Sequence, residues 1–441
     1  MLGEQASKRP HGGGLAGALL AADEHTADRR HDGVQDQGQL HRVLADDRSK
    51  GVGVTVERGA HSPKNRGRPQ SLSARAATRT PAAIDEAPGA GTATVGADNR
   101  RVRSSLHTPL CDLLDVRYPI LNAGIGWAAG PELAAAVSNA GGFGVLGGGS
   151  SPIELVAARI AKTRSLTSAP FGVNVIIAET DPGDDVLLRD LIAAISELDV
   201  AAIVLFWGDP TPYVDAPHRH HKKVLIQVGS AAEAKAAVAA GVDAVIVQGF
   251  EAGGHVRGTT SIWELLPETV RAVKPALVLA SGGVGDGAGI ARALQLGAHG
   301  VSLGTRFVAC DETPVHPAYK QRIVDAKAED TVYNSLYDVW WPDAPHRTLR
   351  NKTLAEWEAA GCPPSGSRPG EGTSIGHRTS ATGEWTEWPR YAIGTAPPDF
   401  DGDIEYAPMW AGTSVSVVND IKPAGEIVRD LVHDAEVARA G

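Results

Sequence analysis

From Pro119 onward the chain alternates short, almost wholly apolar runs with longer Ala-rich stretches whose apolar residues recur every three or four positions. The short runs predict strands over Pro119–Ala123, Phe143–Leu146, Phe171–Ile176, Ala201–Phe206, Val224–Val228, Ala244–Gln248, Ala276–Ser281 and Gly300–Thr305. Runs such as Ala244-Val-Ile-Val are continuously hydrophobic, as strands buried on both faces of a helix-covered parallel sheet must be. The longer stretches predict helices over Pro131–Ala140, Asp185–Leu198, Ala231–Ala240, Ser261–Val273 and Gly285–Leu296. Several open on Pro or Ser, which helix N-termini favour.

Three segments repeat one scheme: Leu133 to Gly147, Ala234 to Gly249, and Ile290 to Gly304. Each reads as a helix, a capping Gly, a short turn, a buried strand and a further Gly. Eight strands, each followed by a helix or loop, suit an α/β fold of the (β/α)8 TIM-barrel type better than an open doubly wound sheet. That architecture places chemistry on the loops that follow the strands.

Residues 306–441 break the alternation, with many prolines and six of the nine tryptophans. They read as a loop-rich appendage packed by its aromatics, and equally as a cap that closes the barrel mouth around an apolar pocket. A last amphipathic helix is expected over Ala424–Ala438. The expected organisation is a disordered N-terminal extension (1–104), a barrel (105–310) and an aromatic-rich C-terminal cap with a closing helix (311–441).

Composition separates the first segment from the rest. All 22 aromatic residues and all three cysteines lie beyond residue 101. Without aromatics, the first hundred residues cannot bury enough apolar surface to offset the entropy of ordering a backbone. Leu15–Ala22 is too short and too Ala/Gly-rich for a secretory core; a natural start near Val102 is the alternative expectation. Over the 441 residues, 42 Lys+Arg against 52 Asp+Glu give a formal charge of -10, which argues against nucleic acid or an anionic membrane as partner. No run reaches the roughly 18 apolar residues of a membrane-spanning helix. Cys111, Cys310 and Cys362 are too few and scattered for a disulfide scaffold or a cysteine-based zinc site, so a reducing, cytoplasmic setting is expected.

Candidate chemistry gathers at strand ends. After the seventh expected strand comes Ser281-Gly-Gly-Val-Gly-Asp-Gly, and after the eighth Gly304-Thr-Arg. Residues without a Cβ let backbone approach a phosphate, and a helix opening at Gly285 would offer unpaired N–H groups; the plainer alternative is tight turns. Gly283-Val-Gly-Asp-Gly-Ala also fits a dinucleotide fingerprint, but Leu303-Gly-Thr-Arg stands where an acidic ribose partner belongs, which favours a mononucleotide. The sixth strand runs into Gln248-Gly-Phe-Glu-Ala-Gly-Gly-His255, an amide and an imidazole suited to redox or proton-transfer work. His218-Arg-His-His221 reads as a solvated loop and Cys310 as a buried thiol; no metal site is expected.

These strand ends resemble the nitronate monooxygenase family, FMN-dependent (β/α)8 enzymes formerly called 2-nitropropane dioxygenases. The resemblance covers about residues 108–310. It rests on Phe171-Gly-Val-Asn-Val, Val247-Gln-Gly-Phe-Glu-Ala-Gly-Gly-His, Ala280-Ser-Gly-Gly-Val-Gly-Asp-Gly and Gly300-Val-Ser-Leu-Gly-Thr-Arg-Phe. It implies an FMN site formed by Asn122, Ala123, Gly124, Asn174, Gln248, Gly253, Gly254, Gly282, Gly283, Ser302, Leu303, Gly304 and Thr305. Within it Asn174 and Gln248 would bond the flavin, Gly253 and Gly283 would line it, and Ser302 to Thr305 would hold its phosphate. His255 would be the catalytic residue, holding the nitro group or taking an α-proton. Members often carry Pro-Met at the first strand end, where this chain has Asn122-Ala-Gly-Ile-Gly-Trp127, so Trp127 is expected to reshape the pocket beside the flavin.

The implied reaction joins a small-molecule nitronate with O2 and gives a carbonyl compound and nitrite. A homodimer is one assembly left open. The alternatives are an FMN enoyl reductase using NAD(P)H, a phosphate-binding barrel without flavin redox chemistry, and a non-catalytic flavin-binding protein.

Overall fold

A computed structural model describes residues 104–149, 151–178, 182–379 and 383–441. The expectation of disorder over 1–104 falls, Ser104 apart, outside the described residues.

Eight strands form one parallel sheet: β1 (Ile120–Asn122), β2 (Gly144–Gly147), β3 (Phe171–Ile176), β4 (Ala202–Phe206), β5 (Lys223–Val228), β6 (Ala244–Gln248), β8 (Leu277–Ser281) and β9 (Gly300–Leu303). They are hydrogen-bonded in the order β1-β9-β8-β6-β5-β4-β3-β2. A parallel bridge between Leu121 and Phe143 brings the two end strands together. The buried Asn122 strengthens that seam. Its Nδ2 donates to Val145 O at 2.8 Å and its Oδ1 accepts from Val145 N at 2.9 Å, in place of a missing ladder pair. The sheet is a nearly closed (β/α)8 barrel, as the strand pattern predicts.

Helices α1 (Pro109–Leu114), α2 (Pro131–Asn139), α3 (Ile153–Leu166), α4 (Pro182–Glu197), α5 (Asp215–Arg219), α6 (Ala231–Ala239), α7 (Ile262–Val273) and α8 (Gly287–Gln295) precede or separate the strands. Strand periodicity sorts the side chains into two layers. Val173, Val175, Ile203, Leu205, Val245 and Val247 pack outward against the helices. Phe143, Val145, Ala202, Val204, Leu225, Ala244, Ile246 and Leu279 fill the interior, with Leu110 and Leu114 of α1 joining them. The same inward parity brings Asn174, Gln227, Gln248, Ser281 and Ser302 to the C-terminal end of the barrel, where they meet a cavity.

Two expected boundaries move for a visible reason. The last strand ends at Leu303, because Thr305–Val308 turns into a short helix, α9. Helix α8 starts at Gly287 instead of Gly285, because Asp286 is its N-cap and accepts from Gly289 N at 2.8 Å. The Asp286 carboxylate thus takes one of the N–H groups at this helix entrance.

The C-terminal region has its own order: α10 (Pro317–Asp325), β10 (Thr331–Asn334), β11 (His346–Leu349), α11 (Lys352–Ala359), β12 (Ser374–Thr379), β13 (Trp385–Pro389), β14 (Asp401–Gly402) and α12 (Ala424–Ala440). Strands β12 to β14 make a small antiparallel sheet. Strands β10 and β11 make another, whose third member is β7 (Gly254–His255), from the loop after β6. The last helix expected over Ala424–Ala438 is α12, which spans Ala424–Ala440. Helix α12 packs on α8 and α2 and adds Ile427, Val428, Leu431, Val432 and Ala435 to the barrel's outer core. It takes the position of an eighth barrel helix, and the cap is an insertion ahead of it.

Candidate active site

The loop after β6 is shaped by its polar residues. Glu251 is structural: its carboxylate accepts from Ser261 Oγ at 2.5 Å and from Ile262 N at 2.9 Å, and so caps α7. Gln248 holds the far limb of the loop. Its Nε2 donates to His255 O at 2.9 Å, and its Oε1 accepts from Arg257 N at 3.1 Å. The cap holds the same limb from outside, with His346 opposite His255 and Arg347 opposite Gly254 in the β11–β7 ladder. Val256 N also donates to Pro345 O at 2.9 Å.

Two adjacent glycines here serve different needs. A Cβ on Gly253 would lie 2.3 Å from Gly412 N, so the close passage of the cap backbone excludes a side chain. Gly254, at φ +72°, has nothing within 4 Å of its Cβ position, so it leaves open space beside the His255 backbone.

His255 sits among rings. Its centroid is 4.2 Å from Trp341, 5.4 Å from Trp410, 5.7 Å from His346 and 5.9 Å from Trp207. Its Nε2 is buried and has no hydrogen-bond partner among the described residues. Burial among these rings, aided by neighbouring His346, lowers the imidazole pKa to about 3. His346 is fully buried; its Nδ1 lies 2.9 Å from Ala344 O, its Nε2 accepts from Tyr337 N at 3.3 Å, and burial lowers its pKa to about 4. Both imidazoles are therefore neutral at pH 7.

Around His255 opens a cavity of about 630 Å³. It is lined by Asn122, Ala123, Gly124, Asn174, Gln248, Gly253, Gly254, Gly282, Gly283, Ser302, Gly304 and Thr305, so the structure brings together every residue of the expected site except Leu303. Leu303 is buried in the outer core, and only its main chain, which accepts from Ala123 N at 2.8 Å, faces the first strand end. Three side chains are already engaged with protein. Asn122 serves the barrel seam, Asn174 donates to Val204 O at 2.9 Å, and Gln248 braces its loop. At Gly304 no heavy atom comes nearer than 3.7 Å to a Cβ position, which leaves room at the β9 end.

A cap at the barrel mouth is one of the two readings of the C-terminal sequence, but the residues by which it lines this cavity were not singled out. Trp341, Trp410, Arg378 and Thr379 line it from the cap, as does Arg159 from α3. The two tryptophans were visible only as part of an aromatic-rich tail, and neither arginine lies in a motif. Trp127 does reach the cavity, with its ring under the Arg159 guanidinium at 4.2 Å.

Other candidates resolve to structure. His218 Nε2 pairs with Asp243 Oδ2 at 2.8 Å, which fixes α5 against β5. Cys310 is buried beside Thr313, and burial pushes its thiol up to about 11, too high for a nucleophile. Among the described residues no group of three His, Cys, Asp or Glu side chains is placed to hold a metal ion, and no helix is long and apolar enough to cross a membrane.

Comparison with known proteins bears on what such a site does. Residues 107–434 match the family model described as nitronate monooxygenase. A nitronate monooxygenase of Pseudomonas aeruginosa is 30% identical over 73% of this chain and 97% of its own length. A Mycobacterium tuberculosis protein named (3aS,4S,5R,7aS)-5-hydroxy-7a-methyl-1-oxo-octahydro-1H-indene-4-carboxyl-CoA dehydrogenase is 31% identical over 75% of this chain and 96% of its own. Among solved structures, a nitroalkane oxidase of Streptomyces ansochromogenes superposes with a TM-score of 0.59 at 26% identity, covering 75% of this chain and 99% of that one.

Proposed function

The chain belongs to the nitronate monooxygenase family and is an oxidoreductase, and we propose that it uses FMN and O2 to oxidise alkyl nitronates, or related small electron-rich carbon acids, to a carbonyl compound and nitrite. One observation carries this reading: a neutral imidazole with an unpartnered buried Nε2, on a loop whose neighbouring Gly254 leaves open space beside it.

The residues present fit a flavin. Gly254, Gly282 and Gly283 have positive φ and present backbone without side chains to the cavity, so a flat ring can lie against them. Ser302, Gly304 and Thr305 offer main-chain and hydroxyl groups for the phosphate at the β9 end. Asn122, Ala123, Gly124, Asn174, Gln248 and Gly253 complete the cradle, with Leu303 contributing main chain. When bound, the flavin supplies the electron transfer; the protein binds, orients and polarises.

His255 holds the reacting group. An imidazole that binds a second proton only near pH 3 is a weak base at neutral pH. It is better suited to hold an oxygen of a substrate that is already anionic than to take a proton from carbon, so we assign nitronates ahead of neutral nitroalkanes. Trp341 and Trp410 exclude water around it, which strengthens that hydrogen bond.

A second reading, oxidation of an acyl-CoA substrate, is favoured by similarity to the mycobacterial CoA dehydrogenase over nearly its whole length. The test is a visible absorbance spectrum of the purified protein, followed by nitrite release from a nitronate in air. Flavin bands and nitrite are expected. Protein that stays colourless when offered FMN would overturn the proposal. So would rapid anaerobic bleaching by NADH without nitrite release in air, which would favour the reductase.

A further inference from the structure

The cavity extends beyond the glycine-lined strand ends to a wall built by β12 and the segment Ile393–Pro398. Arg378, on β12, lies in that wall. Its guanidinium lies over the Trp388 ring, 4.6 Å from the centroid. Trp388 is itself fully buried and set edge-on to Phe400, so the surface beneath the arginine is fixed. Burial lowers the Arg378 pKa from its ordinary value, against the opposing pull of Asp399. That carboxylate is hydrogen-bonded by the Thr379 hydroxyl.

Among the described residues the Arg378 guanidinium makes no ion pair and no hydrogen bond. Arg306, Arg322, Arg368 and Arg390 in the same region each meet a carboxylate. Arg159 lines the same cavity from the barrel side. It lies over Trp127, donates through Nη2 to Ala129 O at 3.0 Å, and keeps a buried Nε without a partner. It too has no ion pair among the described residues. Two half-desolvated cations, each laid on an aromatic face with donors unused, make an arrangement whose cost an incoming anion would offset.

We propose that Arg378 of the cap, together with Arg159 of the barrel, binds an anionic oxygen group, carboxylate or phosphate, that the substrate carries away from the carbon presented to His255. The inference rests on the proposed function only for where the reacting carbon lies. The cap then selects substrates by charge while the barrel carries the chemistry.

The test is isothermal titration calorimetry of the purified full chain, with any flavin it holds, against butyrate, the uncharged butyramide and coenzyme A. At least one anion is expected to bind, with butyramide binding more weakly. Arg378→Met should weaken that anion by about tenfold or more, the loss of one charge-assisted hydrogen bond. Arg378→Lys, which keeps the charge and loses the fork, should weaken it less and covers the case in which the Met variant does not fold. Arg159→Met should act in the same direction. Butyrate without coenzyme A assigns a small acid, and coenzyme A without butyrate assigns a phosphate-bearing substrate. Equal anion affinity in wild type and either Arg378 variant, or no binding of either anion, overturns the proposal. Binding heat does not require flavin, so a colourless protein that still binds anions through Arg378 would sink the redox reading and leave this one standing.

Discussion

Lowering the pH from 7 to 5 should weaken the fold through His255 and His346. In the folded protein these imidazoles protonate only near pH 3 and pH 4, because burial disfavours their charged forms. In the unfolded chain each has a pKa of about 6.5. Between these values the unfolded state binds protons that the folded state refuses, so stability falls as pH falls. The loss starts near pH 6.5 and stops growing once the pH is below the folded values. At pH 5 each histidine is about 1.5 units below its unfolded pKa, which costs roughly 2 kcal/mol apiece and about 4 kcal/mol together. The rings are 5.7 Å apart, so charging one further opposes charging the other. The assay is the urea midpoint at pH 7 and pH 5 for wild type and for His255→Gln/His346→Gln. Other groups, including His299, whose pKa is also lowered by burial, titrate alike in both proteins and cancel. The double variant should lose less stability on acidification than wild type. Equal losses would show that the two imidazoles charge freely in the fold, and the neutral-imidazole account of the site would fall with them.

Two further outcomes follow from the loop and the closing helix. Gln248→Ala removes both braces on the His255 limb, so turnover should fall by about tenfold or more, as when an orienting partner of a site residue is lost. Because Gln248 also lines the cavity, any flavin lost at limiting FMN should be restored at saturating FMN, whereas turnover should stay low; full turnover at saturating FMN would show that Gln248 serves the cofactor and not the His255 limb. Leu431→Ala in α12 should cost about 3 kcal/mol, as for a Leu truncated in a packed core, and should raise amide exchange in α8. A denaturation midpoint close to wild type would mean that α12 is not part of the barrel wall.

The barrel was legible because its signal is local. Strands such as Ala244–Gln248 are apolar up to their last residue, and Gln248 is followed directly by Gly249. The loop ending at His255 was legible for the same reason. What composition and spacing did not carry was the use made of polar side chains inside that loop. The Glu251 carboxylate meets the hydroxyl and amide that begin α7. Asn122 is an amide at a strand end, yet its hydrogen bonds replace a missing ladder pair across the seam. A carboxylate or amide written in sequence does not say whether its partner will be backbone or ligand.

How the cap attaches to the barrel was illegible for a different reason, and that reason bears on how the site works. Its β10–β11 pair is completed by two residues from the barrel loop, and the barrel's eighth helix position is filled by α12, which follows the cap in sequence. Both pairings join segments far apart in the chain, where no local periodicity reports them. The cap is thus held by a barrel strand end on one side and by the barrel wall on the other, with the β11–β7 ladder fixing His255 against it. His346, Trp341 and Trp410 come from the cap and set the burial that keeps His255 neutral. The imidazole belongs to a barrel loop, but its protonation state is determined by an insertion that the repeat pattern does not contain.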